Sequence, residues 1–374
     1  MKRHYTPFFK KYLSKKIVLI SGPRQAGKTT IAKMMAPSFD YLNYDSSDDR
    51  GVLREKSWDR KKNLIIFDEL HKMSKWKQWL KGVTDTESFP PSFVVTGSAR
   101  LDSYRKVGDS LAGRFFHYRL HPFDVRELCQ LNPHLNSRTV VDKILTYGGF
   151  PEPYLENTQE FYGLWKKSHI DIILRQDLLD LESVKNIKQI ETLIDLLRTR
   201  VGSPISYSSL ARDLQASDKT IKVWLGILEN LYVIFKISPY SKNIARSILK
   251  QPKYYFYDVA QVSNPAARLE NLVAASLLKE SHFRQDCLGL DWQLNYLAQK
   301  GGKEIDFILH EKSHDPILIE VKTSDSSPVS IFKNFALQFK KPRLVQLVLN
   351  LKREKTFPDG AEVRKLDNWL VHGY

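Results

Sequence analysis

The sequence predicts a multidomain α/β protein that opens with a parallel sheet flanked by helices and closes with a second α/β region. Three observations carry that expectation. Residues 17–20, 41–44, 63–67, 92–95 and 115–120 are short apolar or aromatic runs of strand length with helix-length spacers between most of them, the pattern of parallel strands buried on both faces. A glycine-rich loop follows the first run directly and leads into a helical pattern at residues 30–35, which Pro37 stops. After a helical middle, residues 303–309 and 317–322 form two further strand patterns.

Composition bounds the rest. At 374 residues, two to four domains are expected. A hydrophobic content of 42% with 11% aromatics suffices for packed cores and excludes a disordered chain. No apolar run approaches the ~20 residues of a membrane span. Residues 1–16 are basic and amphipathic, without the apolar run and small-residue cleavage site of a secretory leader. Cys129 and Cys287 make neither a disulfide framework nor a zinc cluster, which points to a reducing cytoplasm. The formal charge of +16 favours polyanionic partners, nucleic acid among them.

The loop is the most specific signal. Gly22, Pro23, Arg24, Gln25, Ala26, Gly27, Lys28 and Thr29 fit G-x-x-x-x-G-K-[ST], and Thr30 follows at the helix start. Such a loop closes backbone N–H groups around phosphates at the positive end of a helix. Lys28 is expected to reach the β- and γ-phosphates of ATP, and Thr29 to place its hydroxyl on Mg²⁺. The second half of the nucleotide site is the run 63–69, which ends in Asp68 and Glu69. Asp68 can hold the Mg²⁺ sphere, and Glu69 can orient or deprotonate the attacking water. Thr96 and Ser98 follow the next strand at its carboxyl end and can face the γ-phosphate, or simply form a turn. Arg24 and Arg100 lie at loop ends that can meet phosphate.

With Leu111, Gly113 and Arg114 preceding the fifth strand and Pro122 to Leu128 following it, the chain resembles the AAA-type ATPases. It is similar in particular to a bacterial and archaeal group whose ATPase module precedes a winged helix and a restriction-endonuclease-like domain. The matching stretches are GPRQAGKTT, YLNYD, LIIFDELHK, VVTGSAR, LAGRFFHYRLHPFDVREL and YGGFPEPYL. The resemblance implies a γ-phosphate sensor or arginine-finger role for Arg114, in its own chain or towards a neighbour. A surface ion pair is the alternative. It also implies four domains: an ATPase core at 1–130, a helical lid or linker at 131–200, a winged helix at 201–262 and a nuclease-like domain at 263–374.

Tyr147 to Pro153 is a turn cluster between helical segments, and residues 161–198 read as two or three helices of core material. Residues 204–240 are more specific. Tyr207, Leu210, Ala211 and Leu214 share one helix face behind Ser206, and Ile221, Trp224, Leu225 and Leu228 share another behind Ser217. Two short helices joined tightly match helix–turn–helix geometry, with a wing expected at residues 232–237 and 254–257. Lys219, Thr220 and Lys222 are the candidate contacts to duplex DNA, with protein docking as the alternative use of such a module.

In the last third, Asp306 on one strand and Glu320 and Lys322 on the next follow the acidic, E-x-K pattern of PD-(D/E)xK nucleases. Glu320 and Lys322 are two apart on a strand and point to one face. Asp306 and Glu320 offer hard oxygens to Mg²⁺, and Lys322 can position a hydroxide. Glu270, on a predicted helix, matches a further ligand used by some nucleases of that fold. Ala260 stands where such proteins often carry glycine, and residues 326–374 hold no motif. Three functions fit: an ATP-driven DNA-processing nuclease, a nucleotide-switched DNA-binding regulator whose third domain no longer cuts, and a signalling ATPase directed at protein partners. None involves a membrane.

Overall fold

The computed structural model describes residues 3–97, 111, 113–177, 187–241, 251–299 and 303–374. They divide into two compact units, residues 1–122 with 286–288, and residues 123–285 with 289–374.

The first unit is built on five parallel strands: β1 (Ile17–Ser21), β2 (Phe39–Asn43), β3 (Leu64–Asp68), β4 (Ser92–Thr96) and β5 (Phe115–Arg119). Their order is β2-β3-β4-β1-β5. β1 and β3 are buried at every position, as an apolar run between two helical layers requires. The helices are α1 (Thr6–Lys11), α2 (Lys28–Lys33), α3 (Ser47–Glu55) and α4 (Trp76–Thr86). Ser46 caps α3 by accepting the Asp49 N–H. On one face of the sheet Phe67 stacks on Phe93 at 5.8 Å, with Trp58 and Trp79 edge-on to Phe67 at 5.3 Å each. The register aligns Asn43 with Asp68, Asp68 with Thr96, Ile20 with Thr96, and Ser21 with Arg119. All five strands therefore end at one edge, and β1 lies between β4 and β5 at the point where the strand order reverses.

The second unit begins with α5 (Val125–Leu131), α6 (Ser137–Tyr147), α7 (Pro151–Glu156) and α8 (Gln159–Ile172), followed by a π-helical turn, Ile173–Asp177, and α9 (Ile187–Arg198). Then come α10 (Tyr207–Asp213), α11 (Asp218–Asn230), β6 (Ile234–Ile237), β7 (Lys253–Phe256) and the long α12 (Pro265–Leu288), capped by Asn264. Strands β8 (Gln293–Ala298), β9 (Glu304–Glu311), β10 (His314–Lys322), β11 (Arg343–Val348), β12 (Lys355–Thr356) and β13 (Glu362–Lys365), with helices α13 (Phe332–Ala336) and α14 (Leu366–His372), complete it. The sheet order is β12-β13-β11-β10-β9-β8, mixed parallel and antiparallel. Helix α5 groups with this unit because buried charges hold it there: Lys279 Nζ on α12 lies 2.7 Å from Glu127 and 3.2 Å from Asp124.

The expected caps at Ser206 and Ser217 form, and Ile221, Trp224, Leu225 and Leu228 are buried. β6 and β7 pair antiparallel, Ile234 opposite Phe256 and Ile237 opposite Lys253. Within the described residues, no helix is long and apolar enough to cross a membrane.

Candidate functional sites

In the first unit the loop after β1 is shaped by backbone conformation. Gly22 (φ 143°), Gln25 (φ 59°) and Gly27 (φ 93°) all have positive φ, the backbone habit of loops that bind anions. At Gly22 the requirement is absolute: a Cβ there would stand 2.1 Å from the Leu120 carbonyl oxygen. α2 starts directly at Lys28, with Gly27 as its cap. Lys28 is buried, and its Nζ donates to the carbonyls of Gly22 (2.9 Å) and Pro23 (2.7 Å). Those carbonyls hold the ammonium where phosphate oxygens are its natural partners.

Asp68 is the node of the site. Its Oδ2 accepts from the Thr29 hydroxyl (2.8 Å) and the Tyr41 hydroxyl (2.7 Å), and its Oδ1 from the Thr96 hydroxyl (2.5 Å) and the Glu69 N–H (3.1 Å). Three adjacent strands and the start of α2 thus converge on one carboxylate. Burial, then the bond and charge of Asp68, push the Tyr41 phenol above its ordinary range. Glu69 follows in a left-handed conformation (φ 52°) fixed by its N–H donating to the Thr96 carbonyl, 3.1 Å. Burial raises its carboxyl to about 7, against the opposing pull of Lys28, Lys72 and Arg24. Among the described residues Glu69 Oε2 accepts no hydrogen bond, and His71 Nδ1 lies 3.6 Å away.

Two of the expected phosphate-facing residues meet other partners here. Thr96 is fully buried, and its hydroxyl donates to Asp68. Arg114 precedes β5, its carbonyl accepting from the Ile17 N–H at the amino edge of the sheet, and its Nε donates to Asp85 at 2.9 Å. That edge lies about 16 Å of strand away from the loop. Ser98 and Arg100 lie outside the described residues. Sequence reasoning also missed residues that the fold brings in. Arg3 is 6% exposed, and its guanidinium donates to the carbonyls of Ala26 (2.9 Å) and His121 (2.7 Å), pinning the loop to the chain leaving β5. Tyr41 sits on Asp68, and His117 Nε2 bonds Ser21 Oγ at 2.8 Å. An arginine near a chain start carries no motif that could have marked it.

In the second unit, the register pairing Ile319 with Phe307 brings Asp306 beside Glu320. Asp306 Oδ2 accepts the Val321 N–H (2.8 Å), and Glu320 Oε1 accepts from Lys322 Nζ (2.8 Å). Glu270, on α12, joins them: its Oε1 accepts the Tyr255 hydroxyl (2.7 Å) and lies 4.0 Å from Lys253 Nζ. Burial, then the charges of Glu270 and Glu320, push Asp306 well above the usual carboxylate range, and burial raises Glu270. These carboxylates are turned to an ammonium, a phenol and backbone N–H groups. Among the described residues no three His, Cys, Asp or Glu side chains are arranged to hold a metal ion, so the expected ligand set Glu270, Asp306 and Glu320 does not fit one as it stands. On α11, Lys219 and Lys222 are exposed, whereas Thr220 spends its hydroxyl on Ser217 (2.8 Å).

Comparison with known proteins agrees with the first site. Residues 14–129 match the family model described as AAA domain, residues 138–268 a domain of unknown function (DUF8612), and residues 267–367 a second one (DUF4143). The chain is 26% identical over 246 residues to uncharacterized proteins of Mycobacterium tuberculosis and Mycobacterium bovis, covering 65% of this chain and 54% of each relative. It thus spans about half the length of those two. An uncharacterized protein of Haemophilus influenzae is 23% identical over 95% of this chain and 94% of its own. Among solved structures, a RuvB variant of Thermotoga maritima aligns with a TM-score of 0.33 and 16% identity, over 62% of this chain and 87% of that one. A signal-transduction ATPase with a tetratricopeptide repeat sensor from Pyrococcus horikoshii aligns at 0.25 and 15%, over 75% and 45%. Residues 14–129, which carry the phosphate loop and the Asp68–Glu69 pair, are thus similar to AAA domains, and the two regions that follow match domains of unknown function.

Proposed function

We propose that the protein is a Mg²⁺-dependent ATPase that couples its nucleotide state to DNA binding. The observation that carries the first half is the Thr29–Asp68–Glu69 constellation, one carboxylate held by hydroxyls and a second, buried one beside it whose carboxyl burial raises. The loop residues Gly22 to Thr30 cradle the phosphates through their N–H groups, and Lys28 exchanges its carbonyl partners for phosphate oxygens. Thr29 and Asp68 are the residues that would hold Mg²⁺, which when bound neutralises charge on the phosphates. Glu69 takes the proton of the attacking water. Arg114 serves, on this reading, only towards the nucleotide of a second copy.

The second half rests on the α10–α11 pair, with Lys219 and Lys222 exposed on α11, and on the +16 charge. On this proposal the chain is organised as ATPase core, helical lid, winged helix and nuclease-like region, at 1–130, 131–200, 201–262 and 263–374, and works in the cytoplasm. A second reading, a nucleotide-switched regulator whose nuclease-like region binds DNA or protein without cutting, is favoured over cleavage by the commitment of Glu270 and Glu320 to internal donors. The test is ATP hydrolysis with Mg²⁺, with and without duplex DNA, across a salt series. Stimulation that fades with salt supports DNA coupling. Hydrolysis indifferent to DNA refutes it and leaves the ATPase assignment standing.

A further inference from the structure

Lys253, on β7, is fully buried, with no exposed side-chain surface. Its Nζ lies 2.9 Å from Glu304 Oε1, 4.0 Å from Glu270 Oε1 and 5.0 Å from the centre of the Tyr296 ring. Glu270 is boxed in from other sides too, by the Tyr255 hydroxyl and by Gly202 (φ 77°), where a Cβ would stand 2.6 Å from its Oε2. Asp306 and Glu320 complete the group, with Lys322 on Glu320 at its more open side. Four carboxylates so close together require positive charge. A divalent ion would need several of their oxygens converging at about 2.0–2.6 Å; here Glu304 and Glu270 face the Lys253 ammonium, Glu320 that of Lys322, and Asp306 the Val321 N–H.

We propose that Lys253 is the resident cation of this cluster: its ammonium, delivered from a strand outside the six-stranded sheet, neutralises the carboxylates a divalent ion would need and keeps that ion out. The position of Lys253 is set by the β6–β7 pairing, where it stands opposite Ile237, and by its bridge to Pro204. The cluster is therefore closed for as long as the β6–β7 hairpin keeps its register. The inference is independent of the nucleotide site.

The test uses the full chain without nucleotide and Mn²⁺ alone as probe, bound metal being read from the loss of the free Mn²⁺ paramagnetic signal. Wild type is expected to show no Mn²⁺ site that Asp306→Asn removes. Lys253→Met is expected to gain one such site, at least tenfold tighter than any in wild type, and to be thermally stabilised by Mn²⁺ where wild type is not. An Asp306-sensitive Mn²⁺ site in wild type overturns the proposal, as does a folded Lys253→Met protein that gains none. If Lys253→Met does not fold, Lys253→Arg decides. A folded arginine variant without a Mn²⁺ site supports the built-in cation; loss of fold there too shows that the shape of lysine matters and not its charge, and the proposal fails. Neither ATP hydrolysis nor DNA binding enters these readouts, so failure here leaves the proposed function untouched.

Discussion

Asp68 ends β3 and Glu320 lies two residues before the end of β10, each in the company of a second carboxylate, yet they are satisfied in opposite ways. Asp68 takes three hydroxyl donors, from Thr29, Tyr41 and Thr96. Glu320 takes the ammonium of Lys322, and its neighbours Glu304 and Glu270 face that of Lys253. Hydroxyls orient a carboxylate without neutralising it, so it stays able to recruit a cation; an ammonium cancels the charge that would do the recruiting. On the proposals above, the first arrangement is a prepared binding site and the second a closed one.

The sharpest way to break this contrast is to neutralise each site in turn. Lys28→Ala is expected to lower ATP turnover by about 10²-fold or more, because it removes the cation meeting the transferring phosphoryl group; near-wild-type hydrolysis would dismantle the nucleotide site. Glu69→Gln keeps ATP binding while turnover falls by about 10²-fold or more, so a variant that binds ATP and hydrolyses it normally deprives Glu69 of its role. By contrast, Asp306→Asn should leave ATP hydrolysis within about twofold, since an amide oxygen still accepts the Val321 N–H. A large drop there would mean that the two sites do not act separately.

Smaller effects sharpen the picture. Arg3→Ala strips the guanidinium from the Ala26 and His121 carbonyls and is expected to weaken ATP binding about tenfold with the fold retained, the cost of about 1–2 kcal/mol in lost charged hydrogen bonds. Equilibrium dialysis with labelled ATP measures it, and unchanged affinity would reduce Arg3 to a packing residue. The smallest effect concerns pH. Burial raises Asp258 from 3.8 to about 6 in the folded protein. Its stabilising contribution is therefore complete below about pH 4, where both states are protonated, and is lost as pH rises through about 6. Asp258→Asn should flatten that decline in the melting temperature between pH 4 and 7. A decline that persists unchanged assigns it to other groups.

Much of the nucleotide site was legible because its signals are local. The loop spacing, the run ending in Asp68–Glu69, and the caps Ser206 and Ser217 each depend on residues a few positions apart, and they sit where the pattern put them. Arg114 was not legible. Its role turns on which edge of the sheet it occupies, and β5 runs parallel to β1 with Arg114 at the far end. Thr96 likewise stands at a strand terminus that suits a phosphate or a carboxylate equally, until the neighbouring strand supplies Asp68.

The sequence by itself determined the parallel α/β unit, its phosphate loop and the adjacent carboxylates, because hydrophobic period, glycine conformation and cap chemistry act within one or two turns of chain. Only the tertiary structure decided what each charge answers to. Arg3 meets Ala26 across 23 positions and His121 across 118, and Lys253 meets Glu304 across 51. Burial makes such long-range pairings compulsory, since a charge removed from water must find a partner wherever the fold delivers one.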